Sequence, residues 1–509
     1  MRPIESLLLL TTLLAFLALV IPLPAALHWL RHLAPVALLV AGVQMLVEGP
    51  RWQMVPAYGL AGLLFLVWSL QLLAPAGWPA GQGWIGWLAI GLGMLVLVVS
   101  LALPVMLPVF RFPQPTGPHE IGTLTYPWVD ADRPEISTTD PEDRRELMVQ
   151  IWYPAKGDPS SPRAPYMQDA SALSAALARL FHFPRFAFTQ FKYVTTNAIP
   201  SAPVAGDEPS YPVLIFLEGL GGFRQMNTFQ VEELVSHGYV VAAIDHPYTA
   251  AMVVFPDGRQ AAALPIDQLQ SLVRSSYIPP EQAPMLNGQV LEEGSIIPYL
   301  ARDVSLTLDQ LTALNRADPN GILTGRLDLD HAGTFGMSLG GIVAGEACRL
   351  EPRLLACIVM DAAMPSDVVQ AGLKQPCMWI TRDAETMRLE RRRAGGWPED
   401  EIIVHLTSMR VVFESLPGDG YFVQVPGMFH LNLTDAPAWT PLVRWLGVSG
   451  PIHVRRAHTI INAYSVAFFG RHLKGLTAPL LDGPSAHYPE VIFEARGPGP
   501  AHWYHAYVE

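Results

Sequence analysis

Residues 331–347 read HAGTFGMSLGGIVAGEA, and the fold turns on whether Ser338 is a nucleophile or only a small residue among glycines. Gly336, Ser338 and Gly340 spell G-x-S-x-G, a string of common residues that chance supplies now and then in a long chain, so its context must decide. Before it lies an apolar run, AGTFGMS (332–338), introduced by the turn-like DLDH. After it, GGIVAGEACRLEP has the pattern of a helix that Gly340 and Gly341 allow to pack closely. A strand passing into a helix through such a turn exposes the serine hydroxyl, and flanking side chains would collide in the strained backbone. Ser338 is therefore read as a nucleophile.

The surrounding sequence repeats the alternation. Short apolar runs bounded by turn residues, as expected for strands covered on both faces, occur at 147–154, 212–219, 238–245, 332–338, 354–361 and 376–383. Helical patterns separate them: 224–237 stops at a glycine, and 302–315 places Val304, Leu308, Leu311 and Leu314 on one stripe. Strands alternating with helices predict an α/β fold, a doubly wound and mostly parallel sheet.

The N-terminus is different. In a chain of 509 residues that is 50% apolar and only 15% charged, Asp, Glu, Lys and Arg are absent between Arg51 and Arg111. A bilayer core needs about 20 apolar residues per helix, so this stretch holds two crossings around the break APAGWPAGQG (74–83). Residues 6–23 supply another, and 33–47 a shorter fourth. Because the apolar segments recur to about residue 110, a bundle of about four transmembrane helices is expected rather than a cleaved signal. Trp29, Trp52, Trp68, Trp78 and Trp84 stand at or near segment ends, where indoles favour the interface. With four crossings, Arg2, Arg51 and Arg111 share a side opposite Arg31, and the positive-inside bias puts both termini in the cytoplasm. Fifteen residues rise only about 22 Å; without segment 33–47, the C-terminal domain would lie outside. The expected organisation is a membrane domain over 1–111, a Pro-rich linker over 112–140 and a catalytic domain over 141–509.

The net charge of −12, with one short basic run at Arg391–Arg393, argues against nucleic acid as a partner. Cys348, Cys357 and Cys377, an odd and sparse set, are read as buried thiols.

A serine nucleophile needs donors for a developing oxyanion, a base and an acid. The main-chain N–H of Leu339 is one donor; LEGLGGFRQ (217–225), whose glycines free the backbone, offers that of Leu220. His430 in VPGMFHLNLTD follows a strand-like run and a glycine, unlike His405, His453, His458 and His472, and is the expected base. For the acid, Asp361 and Asp383 each end a strand, and both stay open on the residues alone.

The segments LEGLGGFRQMNTF, VEELVSHGYVVAAIDHPYTA, FPDGR, LDLDHAGTFGMSLGG, VMDAAMPSDVVQAGLKQPCMWI, GMFHLNLTD and INAYSVAFFGRHLKG resemble, in order, the plasma-type platelet-activating factor acetylhydrolase family and its bacterial relatives over about 140–480. The resemblance implies an alpha/beta hydrolase fold. It also implies an acid in a hydrophobic-Asp-Ala or Asp-Gly context, which MDAAM matches at Asp361. The implied activity is metal-free and cofactor-free hydrolysis of short or oxidised acyl esters of phospholipids, or of related small esters, by Ser338, His430 and Asp361. A general carboxylesterase, dienelactone hydrolase or polyesterase keeps the same residues; a membrane sensor with a non-catalytic domain is the reading from another class. Two departures stand out. Glu218 replaces the His that commonly precedes the Gly-Leu-Gly loop, bringing a carboxylate near a forming anion, and Met337 stands where His is frequent. The resemblance leaves the N-terminal segments unexplained. Outside these motifs, FHFPRFAF (181–188) is read as core packing in preference to an acyl pocket or interfacial surface, His246 as a turn histidine, and His502 and His505 as part of a solvated tail.

Overall fold

The computed structural model describes residues 1–21, 23–73, 84–158, 160–278, 283–291 and 294–497. The 74–83 break with Trp78, and the tail histidines His502 and His505, lie outside the described residues. The chain divides into two compact units. The first comprises Met1–Phe110 with Phe186–Val194 and Trp439–Leu442; the second comprises the rest.

The first unit contains α1 (Pro3–Val20), α2 (Leu33–Val47), α3 (Val55–Leu73) and α4 (Trp84–Met106). Among the described residues there are four helical segments long and apolar enough to cross a membrane. A 3-10 helix over Ala25–His32 leads into α2, so the short segment of the sequence reading becomes Ala25–Val47, 23 residues. Small residues let the helices approach: Ala15, Ala34, Ala37 and Ala57 are fully buried, and a Cβ on Gly93 would come within 2.7 Å of the Phe16 ring. Outward faces carry Leu39, Leu46, Leu73 and Ile85, each more than half exposed. At one end, the buried Glu5 carboxylate accepts from Arg51 Nε (2.6 Å) and Nη2 (2.9 Å), while Arg51 Nη1 donates to the Leu107 carbonyl. The 186–194 segment belongs to this end: Gln53 donates to Gln190 at 2.9 Å, and Trp52 meets Phe186 edge to face.

The second unit is built on a ten-stranded sheet: β1 (Glu120–Pro134), β2 (Arg144–Ala155), β3 (Ile199–Pro200), β4 (Tyr211–Leu217), β5 (Val240–Asp245), β6 (Leu327–Met337), β7 (Leu354–Met360), β8 (Cys377–Thr381), β9 (Gly420–Gln424) and β10 (Ile492–Arg496). The order is β10-β9-β8-β7-β6-β4-β5-β2-β1-β3, with β4 to β9 mutually parallel and antiparallel pairings at β2–β5, β1–β2 and β9–β10. Alternation along each strand divides the core in two. Val213, Ile215 and Leu217 face one cluster, whereas Leu214 and Phe216 face the other. The first face is covered by α7 (Ile297–Arg316), α8 (Leu339–Leu350) and α10 (Glu399–Ser415), and the second by α5 (Thr228–Ser236) and α11 (Val454–Lys474). The other helices needed below are α6 (Ile266–Arg274) and α9 (Ala384–Ala394). The three cysteines are buried free thiols.

Two expectations need correction. Most of the supposed linker is β1, whose Leu124, Tyr126 and Trp128 point alternately into the core. Pro127 disguised it, yet β3 pairs with β1 only at Gly122 and Thr123, so the proline sits where one side of the strand is an open edge. FHFPRFAF is not core packing: Phe181, Phe183 and Phe186 are 44%, 50% and 51% exposed.

Candidate active site

Ser338 occupies the single residue between β6 and α8, with φ 57° and ψ −121°. A positive φ is strained for any residue with a Cβ, and here the packing on both sides enforces it. A Cβ on Gly336 would fall 2.1 Å from the Gly340 carbonyl oxygen, and one on Gly340 would fall 2.0 Å from that of Leu217. The two flanking glycines are thus steric requirements of the turn. Ser338 N–H donates to the Met360 carbonyl, while its own carbonyl accepts from Gly341 and Ile342 as α8 begins.

The loop after β4 approaches closely enough that a Cβ on Gly219 would lie 3.4 Å from that of Ser338 and 3.2 Å from the Met337 sulfur. Met337 is buried, a packing element under the turn. Gly221 (φ 65°) turns the loop back, donating to the Thr249 carbonyl. Among the described residues, the N–H groups of Leu220 and Leu339 donate to no protein acceptor. Both residues line a cavity of about 660 Å³ together with Ser338, Asp361 and His430.

Asp361 follows β7 directly and is completely buried, and His430 opens a short 3-10 turn after β9. His430 Nδ1 lies 2.5 Å from Asp361 Oδ2. Thr381 Oγ1 donates to the other carboxylate oxygen at 2.9 Å. Two further groups complete the surroundings, one absent from the sequence reading and one set aside there as a base: Arg382 Nε stands 2.7 Å from Oδ2 and His405 Nε2 stands 3.4 Å from Oδ1. Neither makes an aligned hydrogen bond there; the Arg382 contact is ionic, whereas burial lowers the His405 pKa and favours its neutral form. Burial alone would raise the Asp361 carboxyl, but Arg382, His405 and His430 hold it well below the ordinary carboxylate range. The ring of Trp397 meets His430 edge-on at 5.1 Å and lies 4.8 Å under the Arg382 guanidinium. Arg382 directly follows the strand whose end had drawn attention to Asp383. Asp383 itself is a helix cap, accepting from Thr386 N–H (2.9 Å) and Oγ1 (2.5 Å) at the start of α9.

Glu218 is buried beside the loop and is already partnered. It accepts from His246 N–H at 2.9 Å and lies 2.9 Å from His246 Nδ1, so His246 anchors the loop instead of simply filling a turn. Burial pulls the His246 imidazole down, but Glu218 and then Asp303, whose Oδ2 is 3.8 Å from Nε2, more than offset this and raise its pKa. A charged pair presents far less repulsion to a nearby anion than a lone carboxylate would.

The cavity lining mixes apolar side chains, among them Ile266, Val273 and Ile342, with polar ones. The polar contributors include Gln270, Ser271, Arg274 and Tyr277, on and just after α6, together with Glu401 and His405, and Trp397 also lines the cavity.

The sequence profile of the family described as "Platelet-activating factor acetylhydrolase, isoform II" matches residues 106–478. Curated relatives include platelet-activating factor acetylhydrolases from Canis lupus familiaris (24% identity, 64% of this chain, 71% of the relative) and Gallus gallus (22%, 72% and 84%). A probable 1-alkyl-2-acetylglycerophosphocholine esterase from Arthroderma benhamiae is 24% identical over 75% of this chain and 94% of its own. Among solved structures, a ferulic acid esterase from Streptomyces cinnamoneus superposes with a TM-score of 0.57 at 28% identity, covering 76% of this chain and 99% of that one. A strand–serine–helix turn, a buried carboxylate bonded to a histidine and a matched family profile that spans most of the chain lead to one conclusion: this chain belongs to the platelet-activating factor acetylhydrolase family of ester hydrolases.

Proposed function

We propose that the chain is a membrane-anchored serine hydrolase of alpha/beta-hydrolase type, cleaving short or oxidised acyl esters of phospholipids or similar small esters. The observation that carries the catalytic reading is Ser338, held at positive φ in a cavity it shares with His430 and the buried Asp361 to which that histidine is bonded. Ser338 Oγ attacks the ester carbonyl while His430 Nε2 takes its proton. Asp361, bonded at Nδ1, orients the ring and stabilises the imidazolium. The N–H groups of Leu220 and Leu339 receive the oxyanion. His430 then returns its proton to the leaving alkoxide, and water, deprotonated by His430, clears the acyl-enzyme. Every group in the cycle belongs to the chain.

The four apolar helices support the anchoring: side chains such as Leu46 (88% exposed) and Leu73 (83%) form an outer surface suited to lipid. With four crossings the positive-inside bias places the catalytic unit in the cytoplasm. Polar side chains within the mixed cavity lining, Gln270, Ser271, Arg274 and Glu401, suit short or oxygenated acyl groups. The similarity to a ferulic acid esterase, with Tyr277 and Trp397 in the cavity, favours a second reading, a general carboxylesterase for small aromatic esters.

Hydrolysis rates on a panel of short-chain and long-chain p-nitrophenyl esters, feruloyl esters and oxidised phospholipid vesicles decide between them. Preference for the oxidised phospholipid supports the first reading, and preference for feruloyl esters the second. Labelling sealed vesicles with permeant and impermeant fluorophosphonates reports sidedness: reaction in inside-out vesicles alone with the impermeant probe agrees with a cytoplasmic site.

A further inference from the structure

The segment between β8 and β9 contributes more than a wall. Arg382, its first residue, is buried and enclosed on three sides: by Asp361, by the Glu390 carboxylate on α9, which it contacts through Nη1, and by the Trp397 ring. Glu390 reaches back in turn, its second oxygen accepting from the main-chain N–H of His430 at 3.2 Å. Arg382 Nε and His430 Nδ1 meet the same carboxylate oxygen, at 2.7 and 2.5 Å. A cation and an anion, themselves in contact, therefore both bear on one histidine, and both come from the same excursion. Among the described residues, the ionisable groups around His430 are Asp361 from the end of β7 and Glu390 from α9, which it contacts, and Arg382 from the end of β8 and His405 from α10, which contact Asp361.

We propose that Arg382 and Glu390 are positioning residues, a charge-balanced clamp that fixes Asp361 against His430 and sets the pH range in which His430 serves as a base. This rests on the reading of Ser338, His430 and Asp361 given above. The clamp acts by ordinary electrostatics. Arg382 shares the carboxylate with the histidine and disfavours its protonated form; Glu390 opposes Arg382 and favours that form. Removing either charge unbalances the pair, whereas removing both leaves Asp361 and His405 to act on His430. A structural role, filling space or neutralising a buried carboxylate, would lower activity at every pH without moving the profile.

The test uses the full-length protein in detergent micelles. Both kcat/KM on a p-nitrophenyl ester and the rate of fluorophosphonate labelling are followed from about pH 5 to 9 for wild type, Arg382→Met, Arg382→Lys, Glu390→Gln and the double variant Arg382→Met/Glu390→Gln. A charge at this range moves a neighbouring titration by about one pH unit or more. Arg382→Met should therefore shift the acid limb to higher pH by about a unit and Glu390→Gln should shift it to lower pH. The double variant should fall between them, and Arg382→Lys should recover part of the displacement. Limbs that stay in place, or move in the same direction in both single variants, overturn the clamp. If Arg382→Met does not fold, Glu390→Gln decides by itself: a downward shift supports the proposal, and no shift or an upward one overturns it. A wild-type protein that neither labels nor hydrolyses would instead refute the underlying reading of the site.

Discussion

His246 Nδ1 lies 2.9 Å from the Glu218 carboxylate, with both side chains buried behind the loop that carries the Leu220 amide. The pair converts an awkward substitution, an acid next to an oxyanion site, into an anchor for that site. Breaking a buried pair by deleting one partner costs about 3–5 kcal/mol. Glu218→Ala should therefore lower the unfolding free energy by an amount in that range and reduce kcat more than it raises KM, because the loop donor acts on the transition state. Chemical denaturation and steady-state kinetics on the same preparation check both expectations.

The same pair gives a stability dependence on pH with a definite sign. The His246 pKa is raised in the folded protein, since Glu218 and Asp303 outweigh burial. Its contribution is then complete below the ordinary imidazole value of about 6.5 and is lost as pH rises through the higher folded value. The stability advantage of wild type over His246→Gln should be largest near pH 6 and shrink toward alkaline pH. Thermal melts of the two proteins across that range test the sign; an advantage that grows with pH contradicts it.

Asp361 and Asp383 separate cleanly by function. Asp361→Asn removes the negative charge bonded to His430, and the loss in kcat should be about 10³–10⁴-fold, as when the acid of a serine triad is amidated. Asp383→Ala removes the cap of α9, which is worth about 1 kcal/mol of stability, and should leave kcat within a fewfold of wild type. Comparing melting temperature and kcat for the two variants checks this double dissociation.

The elbow tolerates no Cβ on either side. Gly340→Ala would place a methyl group 2.0 Å from the Leu217 carbonyl oxygen, a main-chain atom and not the end of a flexible side chain. Overpacking usually costs about 1–3 kcal/mol; against main chain the cost should reach the top of that range or prevent folding. By contrast, Gly483→Ala, with nothing within 4 Å of the added Cβ, should be close to neutral. Expression and denaturation midpoints of the two variants distinguish a steric elbow from a general glycine effect.

The sequence made the elbow legible because its information is local: the glycines, the serine and the apolar run lie within a few residues of one another. Strands β4 to β8 were legible because burial on both faces leaves short, nearly continuous apolar runs. Strand β1 was not, because its proline and charged end imitate a linker and its edge-like position tolerates them. The aromatic run at 181–188 reads as core from composition, whereas exposure depends on what packs over it, and there composition was misleading. Around Asp361, the sequence pointed to the carboxylate and its histidine but was silent on Arg382, Glu390 and Trp397, and it considered His405 only as a base. These come from an excursion between β8 and β9 whose contacts arise only when that segment folds over the ends of the strands. Arg382 gave one usable signal, its position directly after a buried strand, where a charged side chain needs a partner.

The most direct test of the account is covalent labelling of the purified, folded full-length protein with a fluorophosphonate, followed by peptide mass analysis. The account predicts a single adduct on Ser338 with matching loss of esterase activity. It also predicts that adduct formation falls by more than about a thousandfold in His430→Ala, since residues of a triad act as a unit. Activity retained in Ser338→Ala, or an adduct on another residue accompanied by loss of activity, would contradict it.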